Sequence, residues 1–196
     1  ARRHGLALIL DETYREFRAA EGAPHGAFAR DGWRDHFVHL TSYSKSLAIP
    51  GARVGALVAG PAIRREVAKL LDCQTICAPR LAQEAVAFGL THLGDWMAER
   101  RAAMGARVEA GRAVFASEPG GFRLDASGAF FAYVEHPFIG VDATTVARRL
   151  LAEVGVLCIP GDAFGPAESR WLRLAFGNVE ADVIPEVGRR FAALEG

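Results

Sequence analysis

The sequence predicts an α/β chain: a mixed, mostly parallel sheet in its first half and a small α+β unit in its second. Three observations carry this. Leu6 to Leu10 is a continuous apolar run, the pattern of a strand buried on both faces. Two further strand-like runs, Phe37 to Thr41 and Val54 to Ala59, follow and are succeeded by long helical stretches. After Glu118-Pro119-Gly120-Gly121 the pattern changes to short strands around one well-capped helix. With 196 residues, 51% of them hydrophobic, the chain can bury a sizeable core as one domain or two small ones.

In order, Leu6 to Leu10 ends in Asp11-Glu12-Thr13-Tyr14, and the chain reads as beginning in mid-fold. Trp33 to Leu40 leads into the second strand. The link from Ser42 to Arg53 is about a dozen residues, at or below the minimum for a helical parallel crossover. Val54 to Ala59 is therefore predicted to run antiparallel to its predecessor. Pro61, a favoured first helical residue, opens a helix to Asp72. A loop from Cys73 to Pro79 precedes a second helix, Arg80 to His92, and Gly94 breaks it. Asp95 to Ser117 reads as a long Arg-rich helix, and the domain boundary is placed there, giving residues 1–93 and 94–196. Phe122 to Asp125 and Ala129 to Glu135 are predicted as a hairpin turning at Ala126-Ser127-Gly128. Asp142 caps a helix through Glu153 that stops at Gly155. Val156 to Ile159 and Trp171 to Phe176 are predicted strands, and Glu180 to Leu194 a last helix.

Composition excludes several classes of function. Net charge is zero, and no basic stripe points to nucleic acid. No apolar run approaches the roughly 20 residues of a membrane helix, and the opening Ala1-Arg2-Arg3-His4 does not read as a signal peptide. The histidines are scattered, with no H-E-x-x-H, so no metal site is expected. Cys73, Cys77 and Cys158 read as buried or neutral thiols in a reducing cytoplasm.

Chemistry concentrates in Thr41 to Gly55, T-S-Y-S-K-S-L-A-I-P-G-A-R-V-G. Of 23 basic Lys and Arg residues only two are lysines, Lys45 and Lys69. Where charge alone is wanted this sequence uses Arg, so a surviving lysine points to a task that Arg cannot perform. Lysine can lose its proton and attack a carbonyl; arginine stays protonated. Lys69 reads as an ordinary surface charge on a helix. Asp11 and Ser42 follow the C-terminal ends of their strands, and Arg53 precedes an antiparallel one. All three are therefore expected at one sheet edge, where ligands bind in open α/β sheets.

Asp11-x-x-Tyr14, Ser42-x-Ser44-Lys45, Pro50-Gly51-x-Arg53-x-Gly55 and Arg173 in the strand W-L-R-L-A-F stand in an order that resembles the fold-type I pyridoxal-phosphate-dependent aminotransferases, class I/II. The resemblance covers the whole chain but about the C-terminal half of that family's length. It implies the C-terminal part of a PLP-dependent transferase large domain followed by a small α+β domain. It also implies that the chain is a piece of a longer enzyme and binds its cofactor poorly alone.

The resemblance further implies pyridoxal 5'-phosphate held by Lys45 as a Schiff base, with Lys45 then moving a proton as a free amine. Asp11 would keep the pyridine nitrogen protonated, so that the ring acts as an electron sink. Tyr14 would bond the phenolic oxygen, Ser42 and Arg53 the phosphate, and Ser44 would bind cofactor or only shape the turn. Gly51 and Gly55 would let the backbone pass close to the cofactor. Arg173 would grip the substrate carboxylate as a fork. Phe130, Phe131 and Phe164 are candidates for the pocket lining or the core. Each site residue also has a plainer role: solvated loop lysine for Lys45, helix cap for Asp11, packing aromatic for Tyr14, turn residue for Ser42 and Ser44, surface ion pair for Arg53, and a strand arginine on the solvated face for Arg173. The expected activity is amino transfer between an amino acid and a 2-oxo acid in a cytoplasmic homodimer, with Thr75 to Pro79 resembling a loop that reaches the partner's site. A lyase or decarboxylase of the same fold, or the aminotransferase-like sensor domain of a transcription regulator, stays open at this point.

Overall fold

The computed structural model describes residues 1–18, 22–165 and 170–194. They form two compact units, 1–99 and 100–196.

The first unit holds a three-stranded sheet in the order β1 (Leu8–Asp11), β2 (Phe37–Ser42), β3 (Gly55–Val58). β1 and β2 are parallel, with Asp11 opposite Leu40. β2 and β3 are antiparallel, with Ser42 opposite Gly55, as the short link requires. The sheet is mixed, with one parallel and one antiparallel pair rather than a parallel majority. The short helix α1 (Tyr43–Ser46) follows β2 directly and is capped by Ser42, whose hydroxyl accepts from the Ser44 amide. α2 (Pro61–Gln74) begins on its proline, and α3 (Arg80–His92) follows Pro79. Leu47, Val54, Ala82 and Val86 form the buried cluster, with Met97 and Ile49 against it.

One expectation fails here. The run Leu6 to Leu10 was expected to be buried on both faces, yet Leu6, Leu8 and Ile9 are exposed. β1 is an edge strand, and no layer of the described residues covers it. Cys73 and Cys77 are exposed as well; only Cys158 is buried, and burial pushes its thiol up to about 11.

α4 (Gly94–Phe115) contains the division between the units. The second unit is built on an antiparallel sheet in the order β4 (Arg123–Gly128), β5 (Phe131–Glu135), β7 (Trp171–Ala175), β6 (Ile159–Pro160). The hairpin turns later than expected. Strand pairing skips Asp125, so an extra residue bulges there, and β4 continues to Gly128. Ala129, not Gly128, takes the left-handed turn position at φ 50°. α5 (Ala143–Val154) is capped as expected: Asp142 accepts from the Thr145 amide at 2.8 Å, and Gly155 closes the helix at φ 67°. Val156 to Ile159 yields only the two-residue β6. α6 (Ile184–Ala192) starts four residues later than expected, with Pro185 in its first turn.

This unit has a dense core. Phe122, Phe191, Leu150, Leu172, Val134 and Val146 are fully buried. Phe191 meets Phe122 and Phe115 edge to face, at centroid distances of 4.6 and 5.4 Å. Gly188 brings α6 against α4, since a Cβ there would lie 2.7 Å from Val114.

Candidate active site

Parallel pairing of β1 with β2 and antiparallel pairing of β2 with β3 place three chain segments at one edge of the first sheet. Asp11 ends β1, Ser42 ends β2, and Arg53 stands just before β3. Tyr14 follows Asp11 by one turn, and Ser44 and Lys45 lie on α1. Six of the seven expected site residues are thus gathered by backbone topology. Arg173 belongs to the second unit, on β7.

Asp11 is positioned by its own loop. Its Oδ1 accepts the Thr13 hydroxyl at 2.6 Å and the Thr13 amide at 3.0 Å. These bonds, the hydroxyl's first, hold the Asp11 carboxyl below its ordinary value, and the attraction of His39 adds to them. The group is therefore set to be an anion.

Ser42 and Ser44 share a hydrogen bond of 3.0 Å between their hydroxyls. Ser44 is buried, while Lys45, the next residue, is exposed. Arg53 is exposed, adopts the left-handed conformation at φ 52°, and donates to the Pro50 carbonyl at 3.0 Å. That conformation is uncommon for a residue with a side chain and marks a fixed turn. Gly55 has a reason within the sheet itself: a Cβ there would lie 2.6 Å from the Thr41 carbonyl, so β2 and β3 need its absence. A Cβ at Gly51 would meet nothing within 4 Å.

In the second unit, two rings lie against Arg173. Its guanidinium carbon lies 4.7 Å from the Phe131 centroid and 4.2 Å from that of Phe164. Its Nε is buried and bonds no group among the described residues. With two phenyl rings against the guanidinium plane, its N–H edge is the part suited to a carboxylate.

Sequence reasoning missed the cluster behind Asp11. Glu12 Oε2 lies 2.9 Å from His39 Nε2 and 3.3 Å from His25 Nε2. Its signal was a histidine inside the apolar strand F-V-H-L, where burial of a polar ring is costly and a nearby polar group is worth seeking. The Thr13 contacts also had a signal: Asp followed two residues later by Thr, a spacing that lets the carboxylate close a turn.

The groups at the sheet edge suit a phosphate-bearing carbonyl cofactor: two serine hydroxyls, one phenol, one guanidinium, one amine and one ionised carboxylate. Among the described residues no group of His, Cys, Asp and Glu could hold a metal ion.

The sequence profile of the aminotransferase class I and II family matches residues 1–191, so the chain belongs to that family, whose members use pyridoxal phosphate. Among curated proteins it is similar to the arginine–pyruvate transaminase AruH of Pseudomonas aeruginosa, with 31% identity over 96% of this chain and 48% of that protein. Among solved structures it is similar to LysN, the α-aminoadipate aminotransferase of Thermus thermophilus, complexed with N-(5'-phosphopyridoxyl)-L-leucine. That match has 28% identity and a TM-score of 0.82, covering 97% of this chain and 50% of that one. A probable N-succinyldiaminopimelate aminotransferase, also of Thermus thermophilus, shares the fold at a TM-score of 0.87 and 22% identity, over 100% of this chain and 51% of that one. The chain spans about half the length of the curated relatives it matches.

Proposed function

We propose that this chain carries the lysine-bearing part of a pyridoxal-phosphate aminotransferase, which exchanges the amino group of one amino acid for the oxo oxygen of a 2-oxo acid. The observation that carries the proposal is the strand register, which supports convergence of Asp11, Ser42, Lys45 and Arg53 on one sheet edge. Family membership and the phosphopyridoxyl ligand named for LysN support the same reading.

When bound, the cofactor supplies the electron sink that makes loss of the substrate α-proton feasible. The chain's own groups do the rest. Lys45 holds the cofactor and moves the proton. Asp11, already an anion, keeps the ring nitrogen protonated. Tyr14 donates to the phenolic oxygen. Ser42 and Arg53 hold the phosphate, with Ser44 fixing the Ser42 hydroxyl. Arg173, with Phe131 and Phe164 against its guanidinium, takes the substrate carboxylate. A homodimer, a cytoplasmic location and the domain limits 1–93 and 94–196 belong to the same proposal.

The test is amino transfer by the full-length protein, followed as 2-oxo acid formed from a panel of amino acids with pyruvate or 2-oxoglutarate as acceptor. Product that appears only with an acceptor supports transfer. Ammonia released without any acceptor would replace it with lyase chemistry, and carbon dioxide release with decarboxylation.

A further inference from the structure

The Glu12 cluster has no part in the chemistry just described, yet it sits directly behind it. The Glu12 side chain is 11% exposed, that of His39 7% and that of His25 23%. The imidazoles are fixed by aromatic neighbours. His25 meets Phe37 edge to face at 5.5 Å, and His39 meets Phe28 at 5.8 Å. Glu12 is also tied through its backbone: its amide donates to the Leu40 carbonyl at 2.8 Å. The residue immediately after Asp11 is thus bonded to β2 through its backbone, and its carboxyl lies against His39 of the same strand.

A buried carboxylate between two imidazoles is a poor way to gain stability alone, since apolar residues of similar volume hold two strands as well or better. A carboxyl set between two imidazoles adds direction, because its position is specified by particular polar atoms. Successive residues at a strand end point to opposite sides. Glu12 therefore grips β2 on one face while Asp11 presents its carboxylate on the other. The pull of His39 on Asp11 acts in the same sense, favouring the anion.

We propose that Glu12, set against His39 and His25, is a positioning residue for Asp11: it holds the end of β1 against β2 and so fixes where the Asp11 carboxylate meets the cofactor's ring nitrogen. This rests on the cofactor reading given above.

A double-mutant cycle in the full-length protein tests it. The dissociation constant of pyridoxal phosphate is measured by titrating apoprotein of the parent, Glu12→Gln, Asp11→Asn and the double variant. Thermal unfolding of each apoprotein is recorded alongside. Glu12→Gln is expected to weaken binding roughly tenfold, the size of coupling seen between neighbouring groups. It is also expected to shift the pH at which the bound cofactor's visible absorption changes. Both effects should vanish when Asp11 is already Asn, because a residue acting through Asp11 has nothing left to act on. A loss that persists in the Asp11→Asn background overturns the proposal, as does parent-like binding by Glu12→Gln. If Glu12→Gln fails to fold, the same cycle run with His25→Asn decides by the same two outcomes. If Asp11→Asn alone binds as tightly as the parent, the cofactor reading at Asp11 falls and takes this proposal with it. That result is distinct from a failure confined to Glu12.

Discussion

The two units bury their apolar residues to different extents. In the second, Phe122, Phe191, Leu150 and Leu172 are fully enclosed by the unit's own strands and helices. In the first, the described residues enclose a cluster of Leu47, Val54, Ala82 and Val86, with Phe37, Val38 and Ala59 buried apart from it, while Leu8, Ile9, Leu70, Leu81 and Phe88 stand exposed. Yet the first unit carries every candidate site residue except Arg173. The contrast teaches that in this chain the site depends on backbone register rather than on a dense core. An apolar run in the sequence promises burial only where another layer lies over it.

The largest expected effect separates the two cores directly. Phe191→Ala should cost about 3–5 kcal/mol, because its ring fills the centre of a close-packed cluster. Leu47→Ala should cost about 2 kcal/mol, the low end for such changes, since fewer enclosed neighbours surround the hole. Denaturant unfolding reads both, and equal losses would erase the contrast.

Gly55→Ala probes register. Its Cβ would press on the Thr41 carbonyl, a backbone atom that cannot swing aside. A stability loss of about 1–3 kcal/mol is expected, together with weaker pyridoxal phosphate binding as Arg53 moves with β3. Unchanged binding would detach the site from the register.

His136 tests the second core by pH. It is fully buried, and no described group bonds either ring nitrogen. Burial first, and then the charge of Arg170, lowers its pKa below the ordinary 6.5. The unfolded chain therefore takes up a proton that the folded unit refuses. Stability present above about pH 6.5 falls as pH drops through the lowered folded value. His136→Phe should flatten that acid arm in unfolding curves between pH 7.5 and 5, whereas an unchanged arm would place the titration elsewhere.

The smallest effect is Lys69→Ala. Lys69 pairs with Glu66 at 2.7 Å, but both side chains are 66% exposed. A change within about 0.5 kcal/mol is expected from thermal unfolding.

Much of this architecture was legible because its signals are local. Pro79 and His92 bound α3 where expected, Asp142 and Gly155 bound α5, and the short Ser42–Arg53 link dictated an antiparallel β3. The rest depended on partners distant in sequence. Val156 and Cys158 are buried while Leu157 is exposed, a strand-like alternation, yet only Ile159 and Pro160 are paired. Apolar alternation reports burial and is silent about which backbone stands alongside. The hairpin turn moved because the bulge at Asp125 left no mark in composition. His39 and His25 find Glu12 through register, which no stretch of sequence spells out. Among the candidate site residues, motif spacing singled out Lys45, Asp11 and Arg53, while the two rings against Arg173 required the fold.

The central claim is that Lys45, and not the other lysine, is the cofactor's anchor. The direct measurement is to mix the full-length protein with pyridoxal phosphate, reduce with borohydride, and locate the added mass by peptide mapping. The account predicts one adduct within this chain, on Lys45. Labelling of Lys69 to the same extent, or no label on Lys45, would contradict it and leave the family likeness as one of fold alone.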